Sequence, residues 1–265
     1  MLYIFDHLQG VRESLGGRYL FLFLDYDGTL APIAGTPKKA VIPRGTKETL
    51  RLILKTNNLK LAVISGRPLA GIKKMVGLKG VIYSGNHGFQ VEGPKIKYEL
   101  KVPKGYKNLL RGIKARLKRK LSGISGVLIE DKKFFLTLHF RLVEKDKRDF
   151  IKTAFREVIA RDLERNNIQA RVGKMVFELG PPLRWNKGKI VSWLFSRRQS
   201  ICGTKNVLPV YIGDDSTDED AFRALKNKGL TVFVGKPRSS KADYYLKNTK
   251  DVDKFLRLLL ELKPS

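Results

Sequence analysis

Cysteine, acid and long apolar runs are all scarce in this chain, and each scarcity removes a class of protein. A single cysteine, Cys202, stands among 265 residues, so no internal disulfide can staple the fold, which suits a reducing compartment. The longest uninterrupted apolar stretches, such as residues 19–24 and 258–260, fall far short of the roughly 20 residues that carry a helix across a bilayer. No membrane span is expected. The opening residues MLYIFDHLQG have neither a basic lead nor a long apolar run, so no secretory signal is expected either. The expectation is a cytoplasmic protein acting as a monomer. Acids number 25 against 53 lysines and arginines, which leaves a net charge of +28. Such a surface attracts polyanions and steers anionic substrates without choosing between them. The excess is uneven: residues 100–129 contain no acid, while Lys101, Lys104, Lys107, Arg111, Lys114 and Lys118 crowd the same stretch. A solvated helix face explains that run as readily as nucleic acid does. No zinc-ligand spacing or RNA-binding aromatic motif accompanies it, so nucleic-acid binding beyond nonspecific, salt-sensitive attraction is not expected.

What the chain does contain is enough apolar material, 42% of residues beside 29% charged, to fold as one large domain or two modest ones. Apolar runs of strand length recur at residues 19–24, 59–64, 80–83, 207–212 and 230–234, each followed by a polar turn and a helical pattern. Continuous rather than alternating apolar strands imply burial on both faces, as in a parallel sheet covered by helices. The fold class is therefore α/β, a doubly wound, Rossmann-like core, and its polar clusters fall at the carboxyl edge where such sheets bind ligands. Residues 104–181 have a different texture: a basic helix through Lys120, runs at 127–130 and 134–141, a helix over about 145–165, then runs at 168–172 and 175–180. Alternation over 134–141 predicts a sheet with one side covered. This predicts a small α+β insert within a discontinuous core made of residues 1–103 and 182–265.

Asp25 and Asp27, in DYDG, end the first apolar run two residues apart. That spacing directs both carboxylates to one side unless the turn at Gly28 rotates one away. A pair at that edge can divide the work of nucleophile and proton donor, although an Asp-Gly turn by itself needs neither role. Asp214, Asp215 and Asp218, in GDDSTDED, add three carboxylates at the same edge. Hard oxygen donors crowded in this way suit Mg²⁺ and repel one another without a cation. Glu219 and Asp220 fit the acidic first turn of a helix equally well. Ser65-Gly66-Arg67-Pro68 follows another strand and precedes a helical stretch, with Pro68 suited to its first position. Ser65, nearby backbone N–H groups and Arg67 could hold an anion there, or Ser65 could cap the helix. Lys187, in WNKGK, is the remaining cation that could meet a phosphate.

DYDGTL at 25–30, SGR at 65–67, NKG at 186–188 and GDDSTDEDAF at 213–222 stand in the order of the four motifs of the haloacid dehalogenase superfamily, which the chain resembles. GNHG at 85–88, residues 130–141 with EDK and HFR, MVFELGPP and WNKGK narrow the resemblance to trehalose-6-phosphate phosphatases, over about residues 20–245. The resemblance implies a capped phosphatase that works through an aspartyl-phosphate: Asp25 attacks phosphorus, and Asp27 protonates the departing sugar oxygen and later activates water. It implies Mg²⁺ on the Asp25 carboxylate, the Asp27 backbone carbonyl and Asp214, with Asp215 and Asp218 orienting metal-bound water behind them. Ser65 and Lys187 would grip phosphate oxygens with Arg67 assisting, and Asn86 and His87 would shape the substrate entrance. Glu130, Lys132, His139, Arg141 and Glu178 match positions on the face that closes over the sugar, with Lys133 the alternative to Lys132. One departure stands out: Glu178-Leu179-Gly180-Pro181 replaces the usual Glu-x-Arg-Pro. The implied substrate is trehalose 6-phosphate, and the alternatives are sucrose phosphate, mannosylphosphoglycerate or a monosaccharide phosphate.

Overall fold

The computed structural model describes residues 1–36, 39–173 and 175–261. Two compact units divide it: Met1–Glu99 with Trp185–Ser265, and Leu100–Arg184. The first unit begins with β1 (Leu2–Tyr3), α1 (Leu8–Leu15), β2 (Tyr19–Asp25), α2 (Arg44–Lys55), β3 (Leu59–Ile64), α3 (Leu69–Val76), β4 (Ile82–Gly85), β5 (Gln90–Gly93) and β6 (Ile96–Glu99). The second unit consists of α4 (Tyr106–Lys120), β7 (Leu128–Asp131), β8 (Leu136–His139), α5 (Arg148–Glu164), β9 (Gln169–Gly173) and β10 (Val176–Gly180). The chain then completes the first unit with α6 (Lys187–Ser196), α7 (Arg198–Cys202), β11 (Val207–Gly213), α8 (Glu219–Leu225), β12 (Leu230–Val234), β13 (Tyr244–Leu246) and α9 (Thr249–Glu261).

In the first unit the strand order is β1-β13-β12-β11-β2-β3-β4-β5-β6, parallel from β1 to β4 and closed by an antiparallel meander through β5 and β6. β2 shows why its run is apolar throughout. Leu20, Leu22 and Leu24 pack into the cluster that holds α2 and α9, while Phe21 and Phe23 pack into the one that holds α6 and α8. Each such side chain taken out of water contributes about 1.5–3 kcal/mol. Chain order runs outward in both directions from the β2–β11 pair, so connections leave that seam to opposite sides and open a crevice at its carboxyl end. Pairing of Leu24 with Ile212 brings Asp25 and Asp214 to that crevice from separate strands.

The second unit is an antiparallel sheet in the order β7-β8-β10-β9. Leu136, Leu138, Phe177 and Leu179 face the core shared with Ile113, Leu117, Ile151 and Phe155 of α4 and α5. The other face carries the row Glu130, Thr137, Glu178 and Arg171, set by direct cross-strand pairing. Here the simple alternation expected over 134–141 gives way. Phe134 and Phe135, just before β8, and Thr137 within it are as buried as Leu136 and Leu138, so exposure does not alternate along the run. The basic helix is also less bare than its sequence, because Lys114 pairs with Asp131 at 3.0 Å, Arg116 with Asp162 at 2.8 Å, and Lys120 with Glu157. Ser84 and Gly85 belong to β4 itself, where the sequence pattern placed them in the polar turn beyond it.

Gly188, in the NKG motif, marks where α6 and α8 touch. A Cβ built on it would lie 2.2 Å from the carbonyl oxygen of Asp220, backbone that cannot swing aside. Alanine in a helix ordinarily gains up to about 1 kcal/mol over glycine, but overpacking costs about 1–3 kcal/mol or more. Gly188→Ala is therefore expected to lower Tm by about 5 °C, measured by calorimetry, against the direction that helix propensity alone predicts.

Candidate active site

Asp25 ends β2 at 5% exposure, and the Lys187 ammonium lies 2.7 Å from its Oδ1. Lys187 reaches it from the first turn of α6, which Asn186 starts by accepting the Lys189 N–H at 2.9 Å. The same ammonium lies 2.8 Å from Asp218 Oδ1 and 3.7 Å from Asp215 Oδ1. Burial opposes its charge, but Asp25, Asp218 and Asp215 outweigh that and hold it protonated. Burial likewise pushes the Asp25 carboxyl well above its ordinary range, against the pull of Lys187.

The acids after β11 divide into two kinds. Asp218 builds the loop: its Oδ2 accepts the N–H groups of Asp214 and Asp215, both at 3.0 Å, and its Oδ1 accepts Lys187 and the Tyr211 hydroxyl at 2.6 Å. Asp215 accepts the Thr217 N–H and hydroxyl at 2.8 and 2.7 Å through Oδ1; burial raises its pKa, but Lys187 and these hydrogen bonds bring it down to about 2. Asp214 is the under-compensated group, pushed up to about 7 by burial and by the charges of Asp218 and Asp215. One carboxylate oxygen from each of Asp25, Asp214 and Asp218 falls within 4.8 Å of the others. This is a hard-oxygen cluster with one ammonium to balance it, a donor set that fits a divalent cation. Gly28 makes room for it. At φ +82° it takes a turn that side chains avoid, and a Cβ there would sit 2.0 Å from Asp214 Oδ2.

Asp27 stands apart from that cluster. Its carboxylate is gripped by Arg67, with Nε at 2.7 Å and Nη2 at 2.5 Å. The side chain of Asp27 is 44% exposed. Arg67 also lies over the Tyr26 ring, 5.4 Å from its centroid, and the hydrogen bonds to Asp27 raise its pKa further. Ser65 is buried and accepts the Arg67 N–H at 3.1 Å, so it shapes the loop and does not cap α3. The residue before α3 is Pro68, with extended ψ of 141°, one position earlier than the helical position expected for it. Asn86 departs from its expected place at the entrance. It is 1% exposed and donates to Gln90 Oε1 at 3.0 Å, which makes it a loop anchor. His87, at φ +55°, lies against Gly66, where a Cβ would meet its ring at 2.5 Å.

On the second unit, Glu130 Oε2 lies 3.2 Å from His139 Nε2, a hydrogen bond that lowers the Glu130 pKa. Lys132 sits 3.7 Å from carboxylate oxygens of both Glu130 and Glu178. Lys133 has φ +72° and its ammonium lies 5.1 Å from the Phe134 ring centroid. Arg141 is exposed beyond β8 and has no hydrogen-bond or ion-pair partner for its guanidinium among the described residues. Gly180 has a local reason: a Cβ there would lie 2.7 Å from the Phe135 ring. Sequence reasoning missed Tyr211, whose phenol braces Asp218, because an aromatic within an apolar strand reads as core. It also missed Arg238, whose Nη2 lies 3.5 Å from the Asp214 carbonyl.

Known proteins resemble this chain over most of its length. The family model described as trehalose-phosphatase matches residues 23–250. A probable trehalose-phosphate phosphatase I of Arabidopsis thaliana is 32% identical over 97% of this chain and 72% of its own length. Trehalose-phosphate phosphatase B of the same plant is 30% identical over 99% and 71%. Among solved structures, the C-terminal domain of the Candida albicans trehalose-6-phosphate phosphatase superposes with a TM-score of 0.75 at 25% identity, covering 99% of this chain and 98% of that one. A haloacid dehalogenase-like hydrolase from Bacteroides thetaiotaomicron superposes at 0.65 and 17% identity, covering 91% of this chain and 100% of its own, which marks the shared fold.

Two outcomes are expected from the cluster. Between pH 4 and 7 the folded protein keeps a proton on Asp214 that the unfolded chain has released, so metal-free stability falls as pH rises through that window. Asp215, lowered to about 2, acts in the opposite direction and only below about pH 4. A divalent cation should therefore raise Tm more at pH 8 than at pH 5, and equal shifts at both would contradict the charge balance. Tyr211→Phe should lower kcat/KM about tenfold by loosening Asp218, with Tm and activity read on the same preparation.

Proposed function

The chain belongs to the trehalose-phosphatase family, and from that premise we propose that it hydrolyses trehalose 6-phosphate to trehalose and phosphate. The observation that carries the reading is the meeting of Asp25, Lys187 and Asp214 at the β2–β11 seam, in a chain that matches the family over residues 23–250.

In the reaction we infer, a carboxylate oxygen of Asp25 attacks phosphorus and the bond from phosphorus to the sugar oxygen breaks. The departing oxygen takes its proton from Asp27. Asp27 then takes a proton from water, whose oxygen attacks phosphorus; the bond to Asp25 breaks and the carboxylate returns. Lys187, fixed by Asp25 and Asp218, is placed to meet phosphate oxygens as their charge shifts. Ser65, beside the Gly66 N–H, would hold a further oxygen, since the Ser65 and Arg67 N–H groups are bound within the loop. Arg67 has a second task beyond phosphate, since its two nitrogens already orient Asp27. Mg²⁺ would be held by the Asp25 carboxylate, the Asp27 carbonyl and Asp214, and when bound it supplies charge that screens the nucleophile from the phosphate. Asp215, with one oxygen committed to Thr217, and Asp218 would orient its water ligands.

Recognition of the sugar is assigned to Glu130, Lys132, His139 and Glu178, whose carboxylates, ammonium and imidazole alternate acceptor and donor as hydroxyl-rich substrates require. Arg141 contributes from the rim of the same face. The packing of Phe135 against Gly180, where the family usually carries arginine, favours the second reading, a related sugar phosphate in place of trehalose 6-phosphate. No helix among the described residues is long and apolar enough to cross a membrane.

Phosphate release with Mg²⁺ from trehalose 6-phosphate, sucrose 6-phosphate, glucose 6-phosphate and mannosylphosphoglycerate tests the proposal. Trehalose 6-phosphate is expected to be preferred, and Asp25→Asn should retain less than about one-thousandth of the turnover. Preference for another substrate keeps the chemistry and replaces the sugar; release by Asp25→Asn at the wild-type rate removes the covalent mechanism.

A further inference from the structure

A hydroxyl without a partner sits in the middle of the polar face of the second unit. Thr137, on β8, is 2% exposed, and its Oγ1 has no hydrogen-bond partner among the described residues. Strand pairing fixes what flanks it, with Glu130 of β7 directly opposite on one side and Glu178 of β10 on the other. The three form one row on the sheet face turned away from the α4–α5 core, to which Leu136 and Leu138 belong. The Lys132 ammonium, 3.7 Å from a carboxylate oxygen of each glutamate, therefore spans β8 at Thr137. That distance exceeds a good hydrogen bond, so the ammonium is held there mainly by charge.

Burying a hydroxyl unmatched works against folding, and most buried polar groups find partners. Valine would occupy the same space without that cost. The chemistry of the row suggests what the hydroxyl serves. Ionised glutamates only accept hydrogen bonds, whereas a sugar hydroxyl both donates and accepts. A hydroxyl entering between the two carboxylates could donate to one of them, and it would then need a donor beneath it. Thr137 is the neutral donor in that row.

We propose that Thr137 is a specificity-determining residue, whose hydroxyl donates to a substrate sugar hydroxyl admitted between Glu130 and Glu178 as the Lys132 ammonium moves aside. This rests on the reading of that face as the one that recognises the sugar.

Thr137→Val removes the hydroxyl and keeps the branched shape. With trehalose 6-phosphate and p-nitrophenyl phosphate as paired substrates, it should raise KM for the sugar phosphate about five- to tenfold, the effect of one lost hydrogen bond. It should leave kcat within about twofold and aryl phosphate kinetics unaltered, since uniform binding alone is removed. Its Tm should be no lower than that of the wild type. Thr137→Ser, which retains the hydroxyl, should bring KM back to within about twofold of wild type. An unchanged sugar-phosphate KM in Thr137→Val overturns the proposal. So does an equal loss on both substrates with a lowered Tm, which makes the residue one of packing. Glu178→Gln separates the two levels: a raised KM there with none in Thr137→Val leaves the sugar face standing without Thr137, and no change in either variant removes both.

Discussion

The Lys187 ammonium, with Asp25 at 2.7 Å and Asp218 at 2.8 Å, makes it possible to bury so much acid at the end of a central strand. At an effective dielectric of 20, each of those contacts is worth about 6 kcal/mol, while each pair of carboxylates 4.8 Å apart repels by about 3.5 kcal/mol. Three carboxylate oxygens lie within that separation, so two attractions stand against three repulsions of at least that size. One ammonium can hold two of the acids, and the third, Asp214, carries the imbalance. A site in this condition favours a second positive charge. The placement of Lys187 also joins three parts of the fold, since α6, β2 and the loop after β11 must all be in register for it to reach both acids.

The neighbouring aspartate shows how two identical side chains, two residues apart, come to differ. Asp25 is buried and tied to an ammonium, while Asp27 is half exposed and tied to a guanidinium. The strand β2 ends at Asp25, so Asp27 lies beyond the alternation that would have set them side by side. Because Arg67 binds Asp27 through two nitrogens, it fixes the orientation of that carboxyl group, which a lysine would not do. The SGR motif therefore holds Asp27, the group proposed to transfer the proton, besides its proposed contact with phosphate.

Much of this was legible in the sequence because its signals were local. Continuous apolar runs marked β2, β3, β11 and β12, and two-sided burial of Phe21 and Phe23 against Leu20, Leu22 and Leu24 is the physical content of such a run. Acids just past β2 and β11 marked the site, since the carboxyl edge of a parallel sheet collects polar loops. What escaped were features that depend on which side chains meet once the chain has folded. Tyr211 looked like core because the acid that accepts its hydrogen bond lies on the following loop. Asn86 looked like a rim residue because its partner, Gln90, belongs to a strand whose alternation is too short to read. The basic stretch looked bare because Asp131, Glu157 and Asp162 approach it from other elements.

The two units meet different physical demands, and their sequences differ accordingly. Chemistry at phosphorus needs fixed charges in a dry place, and at the β2–β11 seam Lys187, Asp25 and Asp218 are buried and held by one another. Recognition of a polyol needs groups that keep hydrogen-bonding capacity in reserve. The row on β7, β8 and β10 has that character: its ammonium stands 3.7 Å from two carboxylates, beyond a close hydrogen bond to either. A tight ion pair at that point would leave nothing to exchange with a substrate hydroxyl. An ammonium held at that distance costs less to displace than one in a close ion pair, which suits a face proposed to exchange partners with a substrate hydroxyl.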